Sequence, residues 1–276
     1  MTQLRIFSSG GGKQSIAALV LSAQGAIDFP IHVFCNVGAD SENPETLRYL
    51  EEYAKPYAED KNITFREIIT KKGRKPAKGI NDTRPQETVY NRAMTHATAV
   101  NIPVFFQGSG APGRRNCTTD FKIKQVNRVA RELGATDTNP AIIGIGISID
   151  EFQRMSSDNP YTPHVRKEHP LIDLRLTRAD CEAIIRRAGL PVPPKSSCYF
   201  CPFHSMATWQ ELKRKQPDLF GKAVEMEREM NKKRANIGKD YVFLTRKLRP
   251  LDQVIGDQID MFDDSDDACE SGFCMT

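Results

Sequence analysis

The feature that most constrains this chain is a run of three glycines between an apolar segment and a helical pattern, in the stretch IFSSGGGKQSIAALVL at residues 6–21. Glycine lets backbone N–H groups approach an anion closely, and the N-terminus of a following helix adds its dipole. An ordinary strand-to-helix turn needs one glycine and rarely three followed by Lys13 and Ser15. The stretch therefore predicts a strand, an anion-binding loop and a helix, with phosphate as the favoured ligand.

Length and charge limit the class of protein. The 276 residues suffice for one large α/β domain, or for one domain with an appendage. The 39 Lys and Arg against 35 Asp and Glu give a net charge of +4, which alone does not indicate a nucleic-acid partner. No apolar run approaches the ~18 residues of a membrane span, and no signal-peptide stretch is present. We expect a cytoplasmic protein that does not contact a membrane.

Apolar periodicity predicts strands that alternate with helices. Strands are expected at 4–8, 31–37, 65–69 and 141–148, with a shorter one at 103–107. Helices are expected from residue 16 and at 44–60, 119–133, 177–188, 205–215 and 217–232. This alternation predicts the α/β class, with a doubly wound parallel sheet, helices on both faces and ligands at the carboxyl ends of the strands.

The composition changes along the chain and predicts three regions. Residues 1–195 are expected to form the nucleotide-binding α/β domain, and residues 196–261 a largely helical, cysteine-rich C-terminal segment. Residues 262–276 read as an acidic, cysteine-bearing tail. The basic, Gly- and Pro-rich stretch 70–87 is typical of a solvated loop, with a nucleic-acid contact as the alternative.

The glycine run fits neither the G-x-x-x-x-G-K-S/T loop nor G-x-G-x-x-G. It resembles the PP-loop, Ser-Gly-Gly-x-Asp-Ser, of the adenine nucleotide alpha-hydrolase-like superfamily, which includes the phosphoadenosine phosphosulfate (PAPS) reductases. Four later stretches resemble elements of that reductase family in the same order: VGADSENPET at 37–46, RRNCTTDFK at 114–122, GISIDEFQRM at 146–155 and HPLIDLRLTRADCEAIIRRAGLP at 169–191. The resemblance covers about residues 6 to 201.

This resemblance implies a set of ligand-binding residues. An adenine nucleotide (ATP, APS or PAPS) would be bound by Ser9, Gly10, Gly11, Gly12, Lys13, Gln14 and Ser15, with Gly38 and Asp40 on the facing loop. Its phosphate or sulfate would be neutralised by Lys13, Arg115, Lys122 and Arg154. Gln14 replaces the Asp of the PP-loop, which weakens the case for Mg-ATP hydrolysis and leaves nucleotide binding in place.

The cysteines carry a separate argument. In a reducing compartment an odd count of seven indicates metal binding or catalysis rather than disulfides. The C-x-x-C of SCYFCPFH lets Cys198 and Cys201 reach one metal ion or cluster, and Cys117, 81 residues earlier, resembles the spacing of the iron–sulfur sulfonucleotide reductases. A 4Fe-4S cluster is expected first and zinc second.

The remaining cysteines are assigned by position. The fourth metal ligand stays open among Cys269, Cys274, His204 and none of these. Cys35 and Cys181 fall on the apolar faces of a strand and a helix, so they are predicted to be core residues.

Three functions follow from these expectations. The first is sulfonucleotide reduction, in which the resemblance implies Cys274 or Cys269 as nucleophile, Lys13 as a catalytic cation and a thioredoxin-like reductant. The alternative is an iron–sulfur PP-loop sulfurtransferase that thiolates tRNA or DNA. The third is a non-catalytic nucleotide-binding module with structural zinc.

Overall fold

The computed structural model describes residues 3–69, 88–95, 100–155 and 158–255. The strands are β1 (Arg5–Ser9), β2 (Ile31–Asn36), β3 (Thr64–Ile69), β4 (Phe105–Phe106), β5 (Ala141–Ile145), β6 (Val165–Glu168) and β7 (Val242–Phe243). The helices are α1 (Lys13–Ala23), α2 (Pro44–Tyr49), α3 (Lys55–Asp60), α4 (Val89–Thr95), α5 (Asn116–Thr118), α6 (Lys124–Glu132), α7 (Pro170–Asp173), α8 (Arg178–Arg187), α9 (Met206–Lys215), α10 (Pro217–Ala235) and α11 (Leu251–Val254). Single π-helical turns join α2 to α3 and α5 to α6, and a 3-10 helix spans Ile149–Arg154.

The chain divides into two compact units. The first comprises residues 3–69, 122–155 and 158–197, and the second comprises residues 88–95, 100–121 and 198–255. The second unit thus takes in an internal segment as well as the C-terminal one. The stretch 70–87 and the tail with Cys269 and Cys274 lie outside the described residues.

The first unit is built on a five-stranded sheet in the order β3-β2-β1-β5-β6, in which every neighbouring pair is parallel. The chain runs from β1 outward to β3, then returns to the other side of β1 to form β5 and β6. The order therefore reverses between β1 and β5, where doubly wound sheets bind their ligands. The predicted doubly wound parallel sheet is confirmed.

Apolar side chains cover both faces of this sheet. On one face Phe7, Phe29 and Phe34 pack with residues of α1, α3 and α8. On the other face Ile6, Val33 and Ile143 pack with Val126 and Val129 of α6. Burial on both faces explains why β5 is a continuous apolar run.

Local signals in the sequence fix several helix ends. The side chain of Asn43 accepts a hydrogen bond from the backbone N–H of Glu45, and Pro44 occupies the first turn of α2. Thr177 and Asp180 form a capping box at the start of α8. Both features match their sequence predictions, because capping depends on neighbours within three residues.

The second unit is mainly helical and carries a small antiparallel pair, β4 with β7. Helices α9 and α10 pack together and bury Trp209, Phe220 and Met226. The predicted helices at 205–215 and 217–232 are confirmed with shifts of a few residues at their ends. The sequence analysis did not find β6, β7, α4 or α11, which are short and depend on tertiary contacts.

Candidate functional site

The glycine loop lies at the carboxyl end of β1, in the middle of the sheet, and is held from two sides. The hydroxyl of Ser15 accepts a hydrogen bond from the backbone N–H of Gly10 at 2.8 Å. The hydroxyl of Ser196 donates to the carbonyl oxygen of the same glycine. Gly11 has φ +75°, a left-handed conformation that strains other residues, and Gly12 is the N-cap of α1. The three glycines thus form a fixed turn, as the sequence predicts.

The start of α1 presents unsatisfied donors to this turn. The first backbone N–H groups of a helix lack intrahelical acceptors. Among the described residues no side chain caps the N-terminus of α1, and its first turn carries no acidic residue. Such a helix end attracts an anion through its N–H groups and its dipole.

Two buried hydroxyl groups lie by the loop. Ser9, the last residue of β1, is 5% exposed, and Thr46 is fully buried with its methyl group beneath Gly11. Neither hydroxyl oxygen has a hydrogen-bond partner in the part of the chain that the structure describes. Because an unsatisfied buried hydroxyl is costly, Ser9 at the end of β1 is a candidate contact for a polar ligand in the loop, whereas Thr46 lies on the core side of Gly11.

In the structure Lys13 pairs with a glutamate, and its role as the cation of the loop stays a prediction. Its Nζ lies 2.5 Å from Glu182 Oε1 on α8, and both side chains are about one-third exposed. The hydrogen bond from Lys13 holds the pKa of Glu182 below its usual value. A partly exposed pair of this kind exchanges readily with solvent, so it restrains Lys13 only weakly.

A buried carboxylate lies beside Gln14, the residue that replaces the PP-loop aspartate. Gln14 Nε2 donates to Glu151 Oε2 at 2.9 Å, and Glu151 is 2% exposed. Arg154 Nη1 lies 3.0 Å from that oxygen, and Arg178 pairs with Oε1. The predicted phosphate cation Arg154 therefore pairs with Glu151 in this structure, together with Arg178.

The loop after β2 is internally bonded. Asn36 Oδ1 accepts from the backbone N–H of Gly38 at 2.8 Å, and Asp40 accepts from the Ser41 hydroxyl at 2.9 Å. Lys122 Nζ is 3.9 Å from Oε1 of Glu42, a carboxylate that is 1% exposed. Gly38, Asp40 and Lys122 thus all lie in the first unit. Of the four predicted phosphate cations, Arg115 alone belongs to the second unit.

The cysteine-bearing segments of the second unit are well ordered. The backbone N–H of Cys201 donates to the Cys198 carbonyl at 3.0 Å, which closes the C-x-x-C turn. The N–H of Cys117 donates to the Asn101 carbonyl at 2.9 Å. The Arg115 guanidinium lies 5.4 Å from the centre of the Phe203 ring, so it joins the segment of Cys117 to the turn. All three cysteines are partly exposed.

The described residues contain no group of three or more His, Cys, Asp or Glu side chains arranged to hold a metal ion. The three-cysteine metal centre stays a prediction, as does the role of Cys269 and Cys274. The closed C-x-x-C turn and the accessible thiols are compatible with a cluster or a zinc ion.

The other two described cysteines are core residues, as predicted. Cys35 is 4% exposed on β2, and Cys181 is fully buried in α8. Burial raises the pKa of each thiol to about 12, so neither is ionised near neutral pH.

The sequence analysis missed several residues that shape the site. Glu151 and Thr46 lie in stretches that resemble the reductases, but nothing marked them individually. Ser196 and Arg178 carry no sequence signal, because their contacts join residues far apart in the chain.

No protein-family profile matches the chain. No curated protein matches it. Among solved structures it is similar to the U34-tRNA thiolase NcsA from Methanococcus maripaludis with its 4Fe-4S cluster, at 15% identity and a TM-score of 0.42. That alignment covers 83% of this chain and 72% of the thiolase. A likeness this distant assigns neither family nor function.

One further finding concerns membranes. No helix within the described ranges is both long enough and apolar enough to cross one.

Proposed function

We propose that the protein is a nucleotide-dependent sulfurtransferase that binds ATP at its glycine loop and thiolates a nucleic acid. The observation that carries the proposal is the loop itself. Its left-handed Gly11 and the uncapped start of α1 lie at the carboxyl end of the central strand, next to the buried hydroxyls of Ser9 and Thr46. This arrangement favours a phosphate chain over other ligands.

The charges around the loop support a nucleotide. The buried Glu151 pairs with Arg154 and Arg178, so two guanidinium groups lie beside the residue that contacts Gln14 at the start of α1. Lys13 pairs with a partly exposed carboxylate, from which a phosphate would displace it at small cost. Phosphate binding through backbone N–H groups and arginine requires no aspartate at position 14.

The second unit supports a polyanionic substrate. The last turns of α9 and α10 are basic, and residues 246–249 read Arg-Lys-Leu-Arg. Cationic side chains of this kind bind phosphate backbones.

The chemistry requires an activated oxygen. Sulfide does not displace the carbonyl oxygen of a nucleobase directly, because that oxygen is a poor leaving group. Transfer of AMP from ATP to the oxygen releases pyrophosphate, and sulfide attack at carbon then forms the C–S bond as the C–O bond breaks and AMP leaves. In this scheme the loop residues hold the triphosphate, and Cys117, Cys198 and Cys201 would hold an iron–sulfur cluster that supplies the sulfide.

The competing prediction, sulfonucleotide reduction, needs a nucleophilic cysteine from the tail. Both interpretations share the glycine loop, so nucleotide binding alone does not separate them. Their products do, because reduction of APS or PAPS releases sulfite, whereas thiolation releases AMP and pyrophosphate in proportion to the thionucleoside formed.

The test uses the full chain, purified anaerobically with its metal and sulfide content measured. One reaction receives ATP, sulfide and bulk tRNA, and a second receives APS or PAPS with thioredoxin and its reductase. We expect thionucleoside by mass spectrometry in the first reaction and no sulfite in the second. Sulfite release that disappears on deletion of residues 263–276 would instead establish the reductase. If neither thionucleoside nor sulfite forms, both proposed activities are contradicted.

A further inference from the structure

We infer that the second unit contains a separate phosphate-binding subsite at the N-terminus of α9. This subsite would hold the phosphate backbone of a nucleic-acid substrate. The inference rests on the proposed function only in assigning the bound phosphate to a nucleic acid rather than to a small ligand. The subsite is an open surface pocket, lined mainly by residues 204–206 on one side and residues 245–247 on the other.

The helix end supplies backbone donors. Ser205 is the N-cap of α9, and its hydroxyl accepts from the Thr208 N–H at 3.2 Å. The N–H groups of Met206 and Ala207 precede the first intrahelical acceptor, so α9 leaves them to solvent or to a ligand. The first turn of this ten-residue helix carries no acidic side chain. Its dipole therefore favours an anion at the pocket.

A buried hydroxyl is the second, independent observation. Thr245 lines the pocket and is only 4% exposed. Its Oγ1 has no hydrogen-bond partner within the described ranges. Water or protein groups satisfy nearly all buried hydroxyls in folded proteins, so an unmatched one in a pocket wall indicates a ligand that accepts its proton.

The charge of the pocket selects the ligand. Arg246 and Lys247 are exposed and line its mouth, and the six residues at 204–206 and 245–247 include no carboxylate. The Arg246 guanidinium lies 5.9 Å from the Phe105 ring centre, which restricts its position. Backbone N–H groups, a hydroxyl and two cations are all donors, so the pocket suits the several acceptor oxygens of a phosphoryl group and repels metal cations.

The pocket walls are firmly held. The His204 ring packs edge-on against the buried Trp209 at 4.7 Å between centroids. Leu244, which precedes Thr245, donates its backbone N–H to the buried Glu227 at 2.7 Å. A binding site with fixed walls loses little entropy when its ligand binds.

The test measures binding rather than turnover, so it remains informative if the proposed reaction is wrong. Thr245→Val removes the hydroxyl at nearly constant shape, and Thr245→Ser retains it. Lys247→Glu reverses one charge at the pocket, and Lys239→Glu makes the same change at an exposed position of the same unit. Each full-length variant is titrated with a fluorescent 20-nucleotide RNA and, separately, with inorganic phosphate, and its thermal midpoint is recorded.

We expect Thr245→Val to weaken binding about tenfold or more, because the lost hydrogen bond goes to a charged acceptor, and Thr245→Ser to stay close to wild type. Lys247→Glu should also reduce the salt dependence of RNA binding by about one unit of slope, unlike Lys239→Glu. An effect on RNA assigns the phosphate to a polynucleotide, and an effect on inorganic phosphate alone assigns it to a small ligand.

Two results would overturn the subsite. One is equal binding by Thr245→Val and wild type in both titrations. The other is an equal loss for Lys239→Glu and Lys247→Glu, which would indicate diffuse charge only. If Thr245→Val does not fold, the lysine pair alone decides the question.

Discussion

Gln14 donates a hydrogen bond to Glu151 across 2.9 Å, although the two residues are 137 positions apart in the chain. The bond joins the first turn of α1 to the loop that follows β5, across the point where the strand order reverses. The Glu151 carboxylate accepts a hydrogen bond from the Gln14 amide. The aspartate of the PP-loop motif could not donate this bond, and its carboxylate would face that of Glu151.

The first prediction concerns Glu151, whose carboxylate is buried with Arg154. Glu151→Ala should lower the free energy of unfolding by about 3–5 kcal/mol, because it leaves a buried guanidinium without its carboxylate. The matched change Glu182→Ala removes the partly exposed partner of Lys13 and should cost under about 1 kcal/mol. Urea unfolding monitored by circular dichroism measures both, and similar losses would contradict the buried-pair assignment.

The second prediction concerns Gln14→Asp, which restores the PP-loop residue. Its carboxylate would lie close to the buried Glu151 carboxylate in place of the amide donor, and two neighbouring like charges repel each other. The variant should therefore be less stable than wild type at pH 7. Urea unfolding monitored by circular dichroism checks this, and an unchanged midpoint would refute it.

The third prediction compares two glycines near the two ends of α1. Gly11 and Gly25 have φ +75° and +71°, so alanine at either should cost about 1–2 kcal/mol in backbone strain. A Cβ at Gly11 would also lie 3.0 Å from the Thr46 methyl, whereas one at Gly25 would meet nothing within 4 Å. We expect Gly11→Ala to cost about 1 kcal/mol more, and to abolish the ATP binding that Gly25→Ala retains.

The measurement for this pair is urea unfolding together with calorimetric titration of ATP. The Cβ of Gly11 would point into the core below the loop, towards Thr46, Leu50 and Phe34. Loss of binding would therefore come from a displaced loop rather than from direct obstruction of the phosphate. Equal ATP affinity in the two variants would contradict a nucleotide site at this loop.

The fourth prediction is a pH dependence that arises from Glu227 in α10. Burial raises the pKa of this carboxyl to about 7, although it accepts the N–H groups of Leu244 and Leu251. The folded pKa lies above the unfolded value near 4.3, so the contribution is present at low pH and is lost as pH rises through about 7. Glu227→Gln should remove a fall of up to about 3 kcal/mol between pH 5 and pH 8.

The control for this carboxyl is Glu225→Gln, an exposed position on the same helix. It controls for the loss of one negative charge from the exposed side of α10. A Glu227→Gln variant whose stability follows the wild-type pH profile would show that Glu227 does not titrate in this range.

The fifth prediction concerns metal. Serine at Cys117, Cys198 or Cys201 should each strip iron and sulfide, or zinc, because each thiolate supplies a large share of the binding free energy. Cys181→Ala is the control, since that thiol is buried in the core of the first unit. Elemental analysis after anaerobic purification measures the iron, sulfide and zinc content of each variant. Full metal content in Cys117→Ser would exclude Cys117 as a ligand.

The sequence by itself determined the features that depend on near neighbours and periodicity. The strand–glycine–helix order, the caps at Asn43 and Thr177, the core positions of Cys35 and Cys181 and the parallel sheet all follow from residues within a few positions of one another. Continuous apolarity in β5 already indicated a strand buried on both faces.

Only the tertiary structure decided which charges meet. The fold brings Lys13 to Glu182, 169 residues away, and Arg178 to Glu151, whereas the assignment of Lys13 and Arg154 to a phosphate stays a prediction. The sequence also could not predict that the buried hydroxyls of Ser9, Thr46 and Thr245 have no hydrogen-bond partner among the described residues. The physical reason is that burial and partner choice are set by the packing of distant segments, whereas capping and periodicity are properties of the local chain.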